Sequence, residues 1–120
     1  MITEDYVSFE TAKLLKEKGF DEPCHALYHN GEDKIFFGLD VDSYYNTVLN
    51  ADCYACPTLQ MAMKWLREVH NLHIVVFRYN NSAFPYIWYI FAHNGEKPYK
   101  TNSYEEACEE AIKYCLENLI

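Results

Sequence analysis

No apolar run in this sequence is long enough to span a bilayer. Residues 1 to 20 also lack the basic-then-apolar order of a secretory signal, because Glu4 and Asp5 come first and the later apolar residues are spaced as a helix face. Both absences point to a soluble cytoplasmic protein. Basic residues are scarce: Lys and Arg together number 10 against 18 Asp and Glu, a formal charge of −8. A protein that binds the phosphate backbone concentrates Lys and Arg on one face, so nucleic acid is not an expected partner. The acid excess is local, with Glu105, Glu106, Glu109, Glu110 and Glu117 crowding the last predicted helix as a solvated face. Cysteine spacing is poor in metal signatures, since Cys53 and Cys56 form the one close pair. The cysteines are five, an odd number, and Cys24, Cys108 and Cys115 sit inside apolar patterns, as reduced core thiols do. Neither a cofactor nor a bound metal is expected.

What is present is core-forming material. Half of the 120 residues are apolar and 17% are aromatic, enough for a single α+β domain over residues 1–120 with its own core. The clearest element runs from Pro57 to Asn71, where Leu59, Ala62, Met63, Leu66 and Val69 recur at helical spacing. Pro57 and Thr58 suit its start, and Asn71 tolerates a left-handed stop. The next residues, Ile74 to Tyr79, are too branched and aromatic to continue a helix and read as a strand.

Upstream, Ser8 caps a helix over Phe9 to Lys18, with Val7 and Ala12 placed as a hydrophobic staple and Gly19 as a left-handed exit. Its core face is Ala12, Leu15 and Leu14. Cys24 to Tyr28 and Lys34 to Leu39 flank His29-Asn30-Gly31-Glu32, and Asn-Gly between apolar runs predicts an antiparallel hairpin. Asp40 to Ala55 has no clean period and reads as a loop, the first place to look for a binding surface. Downstream, Asn80 to Pro85 is too short for a crossover helix, so Ile74–Tyr79 and Tyr86–Ala92 form a second hairpin. A second His-Asn-Gly-Glu, at 93 to 96, returns Lys97–Thr101 as an edge strand, the position Pro98 allows. Ser103-Tyr104-Glu105-Glu106 is a capping box opening a helix with the stripe Tyr104, Cys108, Ala111, Ile112, Cys115 and Leu119. The predicted order is αββ-αβββα: an antiparallel sheet of about five strands with three helices mainly on one side.

The segments at 57 to 71 (Pro-Thr-Leu-Gln-Met-Ala-Met-Lys-Trp-Leu-Arg-Glu-Val-His-Asn) and 104 to 120 (Tyr-Glu-Glu-Ala-Cys-Glu-Glu-Ala-Ile-Lys-Tyr-Cys-Leu-Glu-Asn-Leu-Ile) carry a likeness. They resemble a group of small proteins of gut bacteria and their phages that has a strand pair between two such helices. The resemblance implies a phage or prophage setting and carries no catalytic residue with it.

Three constellations are candidates for chemistry. Cys53-Tyr54-Ala55-Cys56 lies ahead of a helix N-terminus, where a thiolate is stabilised, so redox or metal chemistry is conceivable there. Thioredoxin-like topology does not follow, because six residues between the next two strands cannot hold its helix. A zinc site would need Cys24, His25, His70 or His73 gathered by the fold. Asp40-Val41-Asp42 has magnesium-type ligands, though such acids more often form turns. His29 and His93 precede turns and are expected to face solvent.

Aromatic residues make the stronger case. In Tyr86 to Ala92 one face carries Tyr86, Trp88 and Ile90 and the other Ile87, Tyr89 and Phe91, so neither is polar. Tyr44, Tyr45, Tyr86, Trp88, Tyr89 and Phe91 are therefore the candidate binding surface, since Tyr and Trp suit apolar but partly wet contacts. Two functions follow. The first is a non-catalytic binding or adaptor protein with a protein partner or a homodimer on the sheet. The second is a small-molecule protein, for a nucleotide among others, with a pocket under the 40–55 loop. The sequence gives no positive sign of an enzyme.

Overall fold

The computed structural model describes residues 1–38, 44–79, 83–93 and 99–120, with Tyr99 described by its backbone alone. Its elements run α1 (Phe9–Glu17), β1 (Ala26–His29), β2 (Phe36–Phe37), β3 (Cys53–Ala55), α2 (Leu59–His70), β4 (Ile74–Arg78), β5 (Tyr86–Ile90), β6 (Tyr99–Thr101) and α3 (Tyr104–Asn118). The class is α+β, as the periodicities predict. In place of one sheet of about five strands there are two antiparallel three-stranded sheets, β2-β1-β3 and β4-β5-β6. The backbone divides accordingly into two compact units, 1–60 and 61–120.

The described strands of each half pair only among themselves, and the first sheet gains a strand that was not expected. Cys53–Ala55 falls inside the segment expected to be a loop, and it pairs with β1 in the register Leu27↔Ala55, Tyr28↔Tyr54 and His29↔Cys53. Three residues are too few to show a period of two, and all three are buried, so no alternation marks the strand. The predicted hairpin of β1 and β2 forms, but only Ala26↔Phe37 and Leu27↔Phe36 pair. Its turn differs from the two-residue type that Asn-Gly suggests. Gly31 takes φ +82° and Asn30 is not left-handed, while the Glu32 amide donates to the His29 carbonyl at 3.1 Å.

In the first unit α1 begins where Ser8 accepts a hydrogen bond from the Thr11 amide, and Gly19 leaves it at φ +90°. Val7, Thr11, Ala12 and Leu15 are buried against a core that includes Phe20, Ala26 and Tyr28, whereas Leu14 is only half-buried. The tyrosine hydroxyl of Tyr28 donates to the Val7 carbonyl at 2.8 Å, giving its buried polar tip a partner. Asn46 is the polar bolt of this unit. Its Nδ2 donates to the Phe20 carbonyl at 2.8 Å and its Oδ1 accepts from the Ala55 amide at 2.9 Å.

The second unit is a hairpin and edge strand under a helix. β4 and β5 pair from Ile74↔Ile90 to Arg78↔Tyr86, and β5 and β6 from Tyr86↔Thr101 to Trp88↔Tyr99. α3, capped by Ser103 on the Glu106 amide, packs on all three strands. Its buried stripe is Ala107, Cys108, Ala111, Ile112, Cys115 and Leu116. Two residues of the predicted stripe are not buried: Tyr104, the first residue of the helix, is exposed, and Leu119, its C-cap, is half-buried. In α2, Leu59, Ala62, Met63 and Leu66 are buried as predicted, but Trp65 is buried in place of Val69, which is 59% exposed. Asn71 does end α2 in the left-handed region, at φ 54°, and the Leu72 amide returns to the Leu66 carbonyl at 3.0 Å. Among the described residues no helix is long and apolar enough to cross a membrane.

Candidate functional site

Register decides which aromatic residues of the second unit share a face. Residues directly opposite in an antiparallel pair point to the same side, so Ile74, Val76, Arg78, Tyr86, Trp88 and Ile90 form one face and Val75, Phe77, Ile87 and Tyr89 the other. The first face meets α3. Trp88 is 2% exposed; its Nε1–H donates to Glu110 Oε1 at 3.2 Å and its ring lies 5.5 Å from that of Tyr114. Tyr86 stands edge-on to Tyr104 at 6.4 Å, with the Arg78 guanidinium 5.5 Å over its ring. Trp88 is therefore a core residue rather than part of an open surface, and Tyr86 is half-buried beside the helix. A shallow depression of about 270 Å³ beside Trp88, Glu110, Lys113, Tyr114 and Glu117 leaves only the edge of that indole in reach.

The second face is partly bare. Phe77 is 41% and Phe91 61% exposed, while Val75 and Tyr89 are half-buried and Ile87 is buried. Phe77 and Tyr89 meet edge to face at 6.3 Å. The Phe91 amide donates to the His73 carbonyl at 2.8 Å, which carries the ladder one pair past the strands and brings Phe91 onto this face. Here Asn71, His73, Val75, Phe91, Ala92 and His93 line a hollow of about 360 Å³. His73 Nε2 lies 3.0 Å from Asn71 Oδ1, and Ala92 is held at φ 63°. Phe91 was identifiable from alternation alone. The two histidines and Ala92 were not, because a left-handed alanine and a ladder extended past its strand leave no mark in composition.

Tyr44 and Tyr45 belong to the first unit. Tyr44 exchanges backbone hydrogen bonds with Cys24, at 3.0 and 3.3 Å, and the Tyr45 carbonyl accepts from the Val48 and Leu49 amides. Thr47 binds the Asp21 carboxylate through its amide and its hydroxyl. The tyrosines are thus half-buried members of an anchored turn. Asp40, Val41 and Asp42, the turn expected at Asn94 and Gly95, and Pro98 lie outside the described residues.

The fold gives the Cys53 and Cys56 thiols different partners. With β3 extended, their side chains leave the chain on opposite sides: the Cys56 thiol donates to the Val7 carbonyl at 3.6 Å, and Cys53 Sγ lies 3.4 Å from His29 Nδ1. All five cysteines are free and buried. Burial pushes the thiols of Cys24 and Cys115 up to about 12 and that of Cys108 to about 11, with a nearby carboxylate, Glu22 or Glu105, adding to the shift at Cys24 and Cys108. Of the other proposed zinc ligands, His70 closes edge-on against Trp65 at 4.8 Å, and its buried Nε2 has no hydrogen-bond partner. Among the described residues no three His, Cys, Asp or Glu side chains converge as a metal cluster. Compared with protein-family models, curated proteins and solved structures, the chain has no match.

Proposed function

We propose that this is a non-catalytic binding protein whose working surface is the sheet face opposite α3, and that its occupant is a second copy of the chain. The observation that carries the reading is the pairing of bare Phe77 and Phe91 with Val75 and Tyr89 on one face. Apolar rings in such a group favour association at about 25 cal/mol per Å² removed from water, less the cost of ordering two chains. Charge supports self-association through this side. The described residues of the face include no carboxylate, whereas Glu105, Glu106, Glu109, Glu110 and Glu117 lie on α3 against the other face. One patch can then serve both subunits across a two-fold axis. The setting we assign, a phage or prophage protein of the cytoplasm, rests on the likeness of the two helical segments and on five unpaired cysteines.

Light scattering at micromolar concentration tests it. The expected mass is twice 14.2 kDa, falling to a single chain in Phe91→Glu and in Phe77→Glu with circular dichroism unchanged. A wild-type mass of one chain refutes the dimer.

The hollow at the end of the same face favours a second reading, a small-molecule binder. Its about 360 Å³ falls within the range of ligand sites, with Phe91 and Val75 as apolar wall and His73 and His93 as polar groups. Equilibrium dialysis against nucleotides, in wild type and in His73→Ala/His93→Ala, separates the readings, because only a ligand site loses binding in the double variant while the mass stays that of the dimer.

A further inference from the structure

His29 and Cys53 stand directly opposite each other at the end of the β1–β3 ladder. Their side chains therefore emerge on one side of the sheet, and Cys53 Sγ comes within 3.4 Å of His29 Nδ1. The pair is held from several directions. Beyond it the Asn30 amide donates to the Asp52 carbonyl at 2.6 Å, continuing the contact between the two segments. The imidazole is braced edge-on by Phe36 at 4.7 Å. From α1, Lys16 Nζ donates to the carbonyls of Cys53 at 2.7 Å and Asn50 at 3.0 Å, so a positive charge is fixed against the strand that carries the sulfur.

These features set Cys53 apart from its counterparts. The thiols of Cys24 and Cys56 point at the backbone carbonyls of Glu22 and Val7, acceptors that stabilise the protonated S–H. Cys53 instead meets an imidazole, which can remove the proton, and an adjacent base activates a sulfur nucleophile. We propose that Cys53 and His29 form a reactive thiol site for small peroxides.

Access selects the substrate class. Cys53 is only 9% exposed while His29 is exposed to solvent, an opening suited to hydrogen peroxide rather than to a bulky disulfide. The step balances without any further reactant. His29 Nδ1 takes the Cys53 proton, the thiolate attacks one peroxide oxygen, the O–O bond breaks, and the departing hydroxide takes the proton back from the imidazolium as water. Sulfur is oxidised from thiol to sulfenic acid, and the peroxide is reduced. With Cys56 on the other side of the strand, no neighbouring thiol in β3 is placed to condense with the product, so the sulfenic acid persists.

The test is peroxide treatment of the reduced full chain at pH 7, with dimedone trapping and peptide mapping. The expected result is a first adduct on Cys53, formed about tenfold faster than on the same cysteine in urea, as removal of its proton by the adjacent imidazole requires. His29→Ala, folded by circular dichroism, should lose that advantage. If that variant does not fold, His29→Gln, which keeps a polar side chain but no base, decides. Loss of the advantage there supports the pair, and an unchanged rate refutes it. A first adduct on any other cysteine, or a rate in the folded chain no faster than in urea, also overturns the proposal.

Discussion

Glu110, on the helix, accepts the indole hydrogen bond of Trp88, in the central strand of the second sheet, at 3.2 Å. The contact gives one glutamate of the acidic helix a structural task, where the sequence pattern suggests only a solvated face. Removing the carboxylate in Glu110→Ala takes away this part-buried contact, at a cost of about 1 to 2 kcal/mol. Glu110→Gln keeps an acceptor and should lose less than half as much. Urea denaturation followed by tryptophan fluorescence measures both. Equal losses in the two variants would show that the hydrogen bond is not what matters.

Asn46 joins two backbone groups that are distant in sequence, the Phe20 carbonyl and the Ala55 amide. Asn46→Ala removes both contacts, and Ala55 has no exposed surface through which water could compensate. We expect a loss of about 1 to 3 kcal/mol, the cost of leaving the buried Ala55 amide unsatisfied, with hydrogen exchange accelerated first at Cys53–Ala55. Asn46→Asp retains the acceptor for Ala55 and loses the donor to Phe20, so it should protect Ala55 while still destabilising. Uniform exchange across the first unit in either variant would contradict this local role.

Signals written in consecutive residues were legible before any coordinates. Ser8, Ser103, Gly19 and Asn71 cap or end helices where their chemistry says they should, and the hairpin of β4 and β5 follows from a linker too short to cross over. What escaped depends on contacts far apart in sequence. The strand at Cys53–Ala55 forms on an edge that β1 offers it, and two sheets stand where one was expected because the described strands of each half pair only among themselves. The same applies to the candidate surface. Alternation separates Tyr89 and Phe91 from Tyr86 and Trp88, but only the position of α3 says which set is covered. A Cys–His pair built from residues 29 and 53 is invisible to any spacing rule.

Ala92 occupies the left-handed region at φ 63° without glycine's freedom to do so. For a residue with a Cβ that conformation costs about 1 to 2 kcal/mol, partly offset in glycine by the greater entropy of its unfolded chain, about 0.4 to 1 kcal/mol. Ala92→Gly should therefore raise stability by up to about 1 kcal/mol. Ala92→Val should lower it by more than 1 kcal/mol, since branching adds crowding at the same φ. The measurement is the denaturation midpoint of each. A destabilised glycine variant would mean that the methyl group makes contacts worth more than the strain.

The raised thiols of Cys24, Cys108 and Cys115 fix the direction of an alkaline transition. Folded, they lie at about 12, 11 and 12 against an ordinary value of 9.0. Below pH 9 all three are protonated whether the chain is folded or not, so their contribution to stability is fully present. Between about 9 and 11 to 12 the unfolded chain releases these protons first and binds fewer than the native state, which makes the slope of stability against pH negative. Stability should thus fall as pH rises from 9 to 11. Tyrosine and lysine also titrate there, so the discriminating quantity is the slope and not the loss itself. Cys108→Ala/Cys115→Ala is expected to be less stable at pH 7, because a cavity replaces two sulfurs, yet to lose stability less steeply above pH 9. Urea midpoints at half-unit steps from pH 7 to 10.5 supply both curves, and parallel curves would mean that these thiols do not drive the transition.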